Sequence, residues 1–324
     1  MMYSLPYKTK QFFFVLIKLS IVIGAFYFIY RKLVNNNELE FSVFVDFLSK
    51  KDIFSTINTL FLIFFSVFNW FFEILKWKEL VSFVKKVSFK NAFEQSLGAL
   101  TASLFTPNRI GEYGAKAIYY KSNYRKRILL ANLLSNMLQM SVTVIFGTIG
   151  FAFFVLENNI EINHYKFTRF LVIGLATFLL IGFGLTKSNF TIKGYSLAKI
   201  KQFIIDYPKN KLVSGFIFSI IRYSIFSFQF YFLLRIFNVN ITYFDAMKVI
   251  SSMYLLASII PTIFIFDVII KGSIAVYLFS FLHINELSIL SITTIMWLLN
   301  FVFPSFIGSY YVLNFRLPKN EQYQ

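Results

Sequence analysis

Long apolar runs without a single charge are the feature that most restricts the fold of this chain. Phe54–Phe72 and Ile128–Leu156 contain no Asp, Glu, Lys or Arg. Each has roughly the 20 residues or more that a helix needs to cross a bilayer. Charged residues make up only 15% of the chain, against about 25% in soluble domains. Because a helix pairs its own backbone polar groups, these runs predict an all-α polytopic membrane protein.

Six apolar segments are long enough to cross the membrane. They are residues 11–30, 54–72, 128–156, 170–186, 212–234 and 287–315. Lys and Arg concentrate in the N-terminus, in loops 76–90, 116–127 and 187–211, and in the C-terminus. The positive-inside rule therefore predicts six crossings with both termini in the cytoplasm, in a bacterial plasma (inner) membrane. The net charge of +17 is then explained by basic loops that face anionic lipid, and no nucleic-acid partner is expected.

Two further stretches, 92–120 and 249–282, are apolar but interrupted by Pro107 and Pro261. Basic residues flank the first on both sides, which favours a re-entrant pair that opens from the cytoplasm, whereas the second would open from outside. Broken segments from opposite faces are typical of inverted-repeat transporters. We therefore expect one membrane domain, 1–324, with pseudo-inverted symmetry between two halves. The halves cover about 10–156 and 168–315.

The first interruption carries a group of charges at helical spacing. Residues 105–120 read FTPNRIGEYGAKAIYY, so Arg109, Glu112 and Lys116 would share one face of a helix that begins near Arg109. An arginine there can bind a phosphate or carboxylate through its planar fork, with Glu112 holding it or meeting a cationic headgroup. The alternative is an interfacial ion pair that anchors a helix end.

The second half carries its own charges near a break. Asp267 and Lys271 are four residues apart, in the order that favours pairing on a helix. They are a second half of a binding site, or Asp267 is a proton-coupled carboxylate, or the two form an ion pair at the membrane edge. Arg222 lies within a span and needs a partner or water there. Glu112 and Asp267 are the two partners that the sequence suggests.

Other polar residues in the spans have simpler interpretations. Glu73 and Lys76 end an aromatic segment, which is typical of the membrane interface. Asn132, Asn136 and Gln139 fall on one helical face, which we expect to face protein and to join helices. The chain has no Cys and two His, so we expect no metal site and no cofactor. No hydrolase or kinase motif is present, and an enzymatic activity is not the favoured interpretation.

The segment around the first break also resembles a known family. Residues 104–113 read LFTPNRIGEY, which is similar to the TPGRxGE signature of the lysylphosphatidylglycerol synthase membrane-domain family. The second break falls where that family has a second motif, commonly PxPGGxGxxE. Here the residues from Pro261 read PTIFIFDVIIKGS, with Asp267 in place of the acid. The resemblance covers about 10–315.

The resemblance implies a flippase-like protein that translocates a lipid or lipid-linked substrate. Arg109 and Glu112 would form the inner half of a headgroup path, and Asp267 and Lys271 the outer half. The expected partners are membrane lipids with anionic headgroups, with a second copy of the chain or an envelope enzyme left open. Two alternatives remain. One is a membrane-embedded transferase with a lipid-linked donor and Glu112 or Asp267 as general base. The other is a non-transporting accessory subunit of an envelope lipid enzyme.

Overall fold

The protein is built almost entirely from helices in a computed structural model that describes residues 23, 55–104, 106, 110–158, 191–192, 195–196, 202–259 and 264–318. The helices are α1 (Thr56–Val81), α2 (Phe89–Ser103), α3 (Gly111–Ile118), α4 (Ser122–Glu157), α5 (Lys209–Ile236), α6 (Tyr243–Ile259), α7 (Phe264–Ser280), α8 (Glu286–Trp297) and α9 (Phe303–Asn314). A π-helical turn, Leu298–Val302, joins α8 to α9. Strands β1 (Thr191–Ile192) and β2 (Tyr195–Ser196) pair antiparallel. This architecture confirms the all-α class.

Four helices in the described part of the chain have the length and hydropathy of a membrane span. They are α1, α4, α5 and the continuous stretch Glu286–Asn314 formed by α8, the π turn and α9. They correspond to four of the six predicted crossings. The other two, 11–30 and 170–186, lie outside the described residues apart from Ile23. The total of six crossings therefore stays a prediction.

Both interrupted segments fold as pairs of helices. In the first, α2 ends at Ser103 and α3 begins at Gly111; in the second, α6 ends at Ile259 and α7 begins at Phe264. The members of each pair pack against each other. The helices break where the sequence places proline, which removes a backbone donor and clashes with the preceding turn. Re-entry of the two pairs into the membrane stays a prediction.

The two halves use the same helix contacts with their roles exchanged. In the first half, α1 and α3 each pack on both α2 and α4. In the second half, α5 and α7 each pack on both α6 and α8. Between the halves, α4 packs on α6 just as α9 packs on α2, and α1 packs on α5. This exchange is the pattern expected of two repeats related by a two-fold axis through the α1–α5 contact.

Residue contacts show that α1 and α5 run antiparallel. Lys211, near the start of α5, pairs with Glu79 near the end of α1. Further along α5, Gln229 donates to the Ser66 hydroxyl, which lies early in α1. This pair of corresponding helices therefore points in opposite directions, as an inverted repeat requires.

Each half also has its own apolar core. One core packs α5, α6, α7 and α8 around buried side chains such as Phe230, Ile250 and Ile292. The other packs α1 to α4, with Trp77 and Leu80 at its centre. Polar side chains are concentrated between these two cores, where α1, α4 and α5 meet.

Candidate functional site

Five ionisable side chains, four of them buried and one half-buried, lie where α1, α3, α4 and α5 meet, and we call them the charged cluster. The charged cluster consists of Glu73 and Lys76 from α1, Glu112 and Lys116 from α3, and Arg222 from α5. The side chains of Lys76 and Lys116 are each 1% exposed. Charges removed from water to this degree persist only when they are paired and hydrogen-bonded.

Glu73 is the carboxylate that two cations contact directly, and a third cation interacts with it electrostatically. Its Oε2 accepts hydrogen bonds from Arg222 Nη1 and from Lys76 Nζ, the latter at 2.8 Å. An electrostatic interaction also connects Glu73 with Lys116. Arg222 thus has its acidic partner on α1, a residue that the sequence did not suggest for it. Glu73 and Lys76, which the sequence indicated as interfacial, are buried within the protein, and their depth in the membrane stays a prediction.

Lys116 contacts three side chains of the first half of the chain. Its Nζ lies 2.7 Å from Glu112 Oε1 and donates to Asn132 Oδ1 at 2.9 Å. The same ammonium lies 4.2 Å from the centroid of the Trp77 ring, within the range of a cation–π interaction. The predicted helical pairing of Glu112 with Lys116 is therefore present.

The local fold of the first motif positions Glu112. The Gly111 backbone N–H donates to Thr106 Oγ1 at 2.9 Å, which ties the start of α3 to the end of α2. A Cβ on Gly111 would lie only 2.8 Å from Thr106 Cγ2. The threonine and the glycine of this motif thus fit each other, and Glu112 follows directly in the first turn of α3.

The polar face of α4 joins the charged cluster to its surroundings, as the spacing of its residues predicts. Gln139 Oε1 accepts from Arg222 Nη1 at 3.1 Å and from Lys76 Nζ at 3.5 Å. Asn136 Nδ2 donates to the Tyr113 hydroxyl at 2.9 Å. These contacts connect α4 with α1, α3 and α5.

A second group of side chains, the amide network of Asn69, Gln229 and Asn300, extends from Arg222 toward the π turn. Arg222 Nε donates to Asn69 Oδ1 at 3.1 Å. Asn69 Nδ2 donates to Asn300 Oδ1 at 3.0 Å, and Asn300 Nδ2 donates to Gln229 Oε1 at 2.9 Å. The amide network therefore links α1, α5 and the π turn with the charged cluster.

Proline chemistry explains why Asn300 can also anchor α1. Pro304 is the second residue of α9 and has no N–H to donate to the carbonyl four residues earlier. That carbonyl belongs to Asn300, and it accepts a hydrogen bond from Trp70 Nε1 at 2.9 Å. The π turn and the proline thus supply an acceptor that a regular helix would use internally.

The charged cluster has more positive than negative charge and more donors than nearby acceptors. Three cations and two carboxylates leave one positive charge in excess among its members. In the described part of the chain, Asn132 Nδ2 and Ser135 Oγ have no hydrogen-bond partner, although both residues are fully buried. Arg222 keeps 19% of its side chain exposed. This arrangement favours binding of an anion.

The structure places the other residues predicted for the site in different ways. Arg109 lies outside the described residues, and Asp267 belongs to α7 but its side chain also lies outside the description. Lys271 is half-buried beside a small cavity of about 40 Å³, where its Nζ lies 5.9 Å from the centroid of Phe301. The side chains around it include Tyr254 and Trp297. Glu112, Lys116 and Arg222 are thus brought together, and Lys271 lies in a separate pocket.

A sequence signal for the missed residues did exist. Asn69, Glu73 and Lys76 are spaced by four and three, so they share one helical face. The residues of the polar face of α4 have the same spacing. Both predicted spans carry a polar face with this spacing. That match could have predicted that α1 and α4 contact each other within the protein.

Comparison with known families adds to this geometry. A sequence model described as "Lysylphosphatidylglycerol synthase TM region" matches residues 15–308. The chain belongs to that family. The match confirms the predicted resemblance and makes the chain a multi-pass membrane protein of a family associated with lipid metabolism. Comparison with curated proteins and with solved structures finds no match for this chain.

Proposed function

We propose that this member of the family translocates a lipid or lipid-linked amphipathic substrate, and that the charged cluster binds its anionic headgroup. One observation carries the proposal. Arg222 from the second half, and Glu73, Lys76 and Lys116 from the first, form one buried group at the junction of two halves that exchange their contacts. Alternating-access transporters place their substrate at such a junction.

The chemistry of the charged cluster supports an exchange of partners. A phosphate can bind Arg222 through its planar guanidinium in place of Glu73. Glu73 is not then left alone, because it keeps its ion pair with Lys76. Because this exchange leaves no buried charge unpaired, it avoids the free-energy penalty of several kcal/mol that an unpaired buried ion carries. Arg109 and Asp267 are proposed to extend this path toward the two faces of the membrane.

The proposal includes the arrangement of the chain in the membrane. It is a single domain in the bacterial plasma membrane, with six crossings, two re-entrant pairs and both termini cytoplasmic. The pairs α2–α3 and α6–α7 enter from opposite faces. Membrane lipids with anionic headgroups are the partners, and a homo-oligomer or an envelope enzyme is compatible with the same surfaces.

Reconstituted protein tests the proposal directly. Purified wild-type chain in liposomes is expected to move headgroup-labelled phosphatidylglycerol between leaflets, measured by the fraction of label that a membrane-impermeant quencher reaches. Arg222→Gln should slow the movement by about a hundredfold, which corresponds to the loss of one charge-assisted interaction of roughly 2.7 kcal/mol. Arg109→Ala should lose movement as well.

The matched control uses another ion pair between the same two helices. Lys211 and Glu79 join α5 to α1 at 3.0 Å but are more exposed, so Lys211→Gln should move lipid at the wild-type rate. Wild-type movement by Arg222→Gln contradicts the role of the charged cluster. Chemical turnover of lipid without movement identifies the transferase. Absence of both movement and turnover identifies the accessory subunit.

A further inference from the structure

An apolar groove runs along the face of α1 next to the one that carries the charged cluster. It has a volume of about 400 Å³, and its walls come from α1, α2, the π turn and α9. On α1 the wall extends from Ile63 to Ile74. We propose that this groove binds one acyl chain of an anionic phospholipid, whose phosphate lies at the basic segment before α2.

The length of the groove fits one leaflet. Ile63 and Ile74 are eleven residues apart, which at 1.5 Å per residue gives about 16 Å along the helix axis. The hydrocarbon core of a bilayer is about 30 Å thick. The groove is therefore about as long as the acyl region of one leaflet.

The chemistry of the walls excludes a polar occupant. Two polar side chains in the walls, Trp70 and Ser66, are both engaged within the protein. The Trp70 N–H donates to the Asn300 carbonyl, and the Ser66 hydroxyl accepts from Gln229. Other wall residues, such as Val67, are apolar and exposed. Such a wall is suited to a hydrocarbon chain.

The α2 side of the groove is bordered by positive charge. Phe89 lines the groove next to Phe71, and the exposed side chains of Lys86 and Lys90 flank Phe89 in the sequence. Phe89 also begins α2, so the backbone N–H groups of the first turn lie on the same side. An apolar groove bordered by lysines matches the shape and charge of an anionic phospholipid in the leaflet that these lysines face. The positive-inside rule assigns these lysines to the cytoplasm.

The inference goes beyond the proposed function, because the groove would bind this lipid whether or not the protein moves it. A chain of hydrogen bonds also connects the wall of the groove to the charged cluster. Trp70 forms its wall and contacts Asn300, which connects through Asn69 to Arg222. A chain held in the groove therefore contacts the same helix that positions the proposed headgroup site.

Photocrosslinking tests the proposal with the full chain. The protein is reconstituted in phosphatidylcholine liposomes that contain phosphatidylglycerol with a diazirine in its acyl chain, and the adducts are mapped by mass spectrometry. Adducts concentrated on groove residues such as Val67 and Ile307 support the proposal. Adducts spread evenly over exposed apolar positions, including Val144 on α4, would mean ordinary annular lipid and would overturn it.

Two variants sharpen the result. Val67→Trp fills the groove and should lower the groove adducts by about threefold, a modest factor because lipid tails outside the groove are as apolar as its walls. Val144→Trp, an equally drastic change at another exposed valine, should not lower them. Ile307→Trp repeats the test from α9 in case Val67→Trp does not fold. An unchanged adduct yield in both groove variants overturns the proposal.

The headgroup assignment and the proposed function are tested separately. The double variant Lys86→Gln, Lys90→Gln should reduce the preference for phosphatidylglycerol over a diazirine-labelled phosphatidylcholine, and Lys209→Gln, at another exposed lysine, should keep it. An unchanged preference in the double variant overturns the assignment of the phosphate to these lysines. Arg222→Gln should leave the groove adducts as in the wild type. Failure of lipid transport therefore does not remove the adducts, and loss of the adducts does not require loss of transport.

Discussion

At the scale of single residues, Glu73 differs from the other members of the charged cluster because one carboxylate serves several cations. It accepts hydrogen bonds from both Arg222 and Lys76. Removal of Glu73 leaves the buried Lys76 and the half-buried Arg222 without their acid. Removal of Arg222 leaves Glu73 paired with Lys76. The two substitutions are therefore not equivalent, although they break the same ion pair.

We predict that Glu73→Gln destabilises the protein more than Arg222→Gln. Loss of one partner from a buried pair costs about 3–5 kcal/mol when it strands a charge, which is the expectation for Glu73→Gln. Arg222→Gln should cost about 1–2 kcal/mol for its lost hydrogen bonds. Intrinsic tryptophan fluorescence during denaturation in detergent measures the difference, because Trp70 and Trp77 lie close to the cluster.

The more exposed pair between the same helices calibrates this measurement. Lys211→Gln should change the unfolding free energy by no more than about 1 kcal/mol, as is usual for exposed ion pairs. Equal destabilisation by Glu73→Gln and Arg222→Gln would show that Glu73 does not carry the role assigned to it here.

At the scale of elements, the contacts between the halves depend on close helix approach at glycine. Gly308 of α9 lies against α2 so closely that a Cβ would be 2.2 Å from the Leu97 carbonyl oxygen. Gly150 of α4 meets α6 in the same way, with a Cβ position 3.0 Å from the Lys248 carbonyl oxygen. These two contacts are equivalent under the exchange of the halves. Small residues allow such approach where lipid supplies no hydrophobic driving force between helices.

We predict that Gly308→Ala separates α9 from α2. The added methyl meets backbone, which cannot rotate away, so a cost of about 1–3 kcal/mol is expected from overpacking. Gly114→Ala in α3 is the matched control, because its Cβ would have no atom within 4 Å. The control should be neutral or slightly stabilising, since alanine is the better helix former by up to about 1 kcal/mol. Thermal unfolding in detergent compares the two, and equal melting temperatures would contradict the close-packing account.

The same elements show how far sequence reasoning reaches in a membrane chain. Charge-free length predicted the four long apolar helices of the described residues, and the prolines predicted where the helix pairs break. The polar face of α4 predicted its contacts, because a polar residue in a span must face protein. Apolar faces carry no such signal: Leu60 and Leu62 lie on one span, yet Leu60 is exposed and Leu62 is buried. Lipid and protein interior are equally apolar, so the pattern could not predict which helices pack together.

The site was only partly predictable for the same reason. Glu112 and Lys116 pair within one helix, and their spacing alone indicates this. The Arg222–Glu73 pair joins residues 149 positions apart, and the sequence contains several acids that could have served. Only the packing of α1 on α5 decides between them.

At the scale of the whole molecule, the proposed transport depends on α4 crossing the membrane in a definite orientation. Helix α4 has 36 residues, so it extends about 54 Å at 1.5 Å per residue, well beyond the 30 Å or so of the hydrocarbon core. Lys85 lies 5.8 Å from the ring centroid of Tyr124, which places the basic segment before α2 near the start of α4. Asn158 caps its other end.

We therefore predict that cysteines at Lys86 and Asn158 label from opposite sides of the membrane. The chain has no native cysteine, so each single substitution gives an unambiguous signal with a membrane-impermeant maleimide. In intact cells Asn158→Cys should react and Lys86→Cys should react only after the membrane is opened, because the basic segment faces the cytoplasm. Labelling of both positions from the same side would mean that α4 does not cross. The inverted relation between the halves would then have to arise outside a membrane-spanning arrangement, and the proposed headgroup path between leaflets would have no basis.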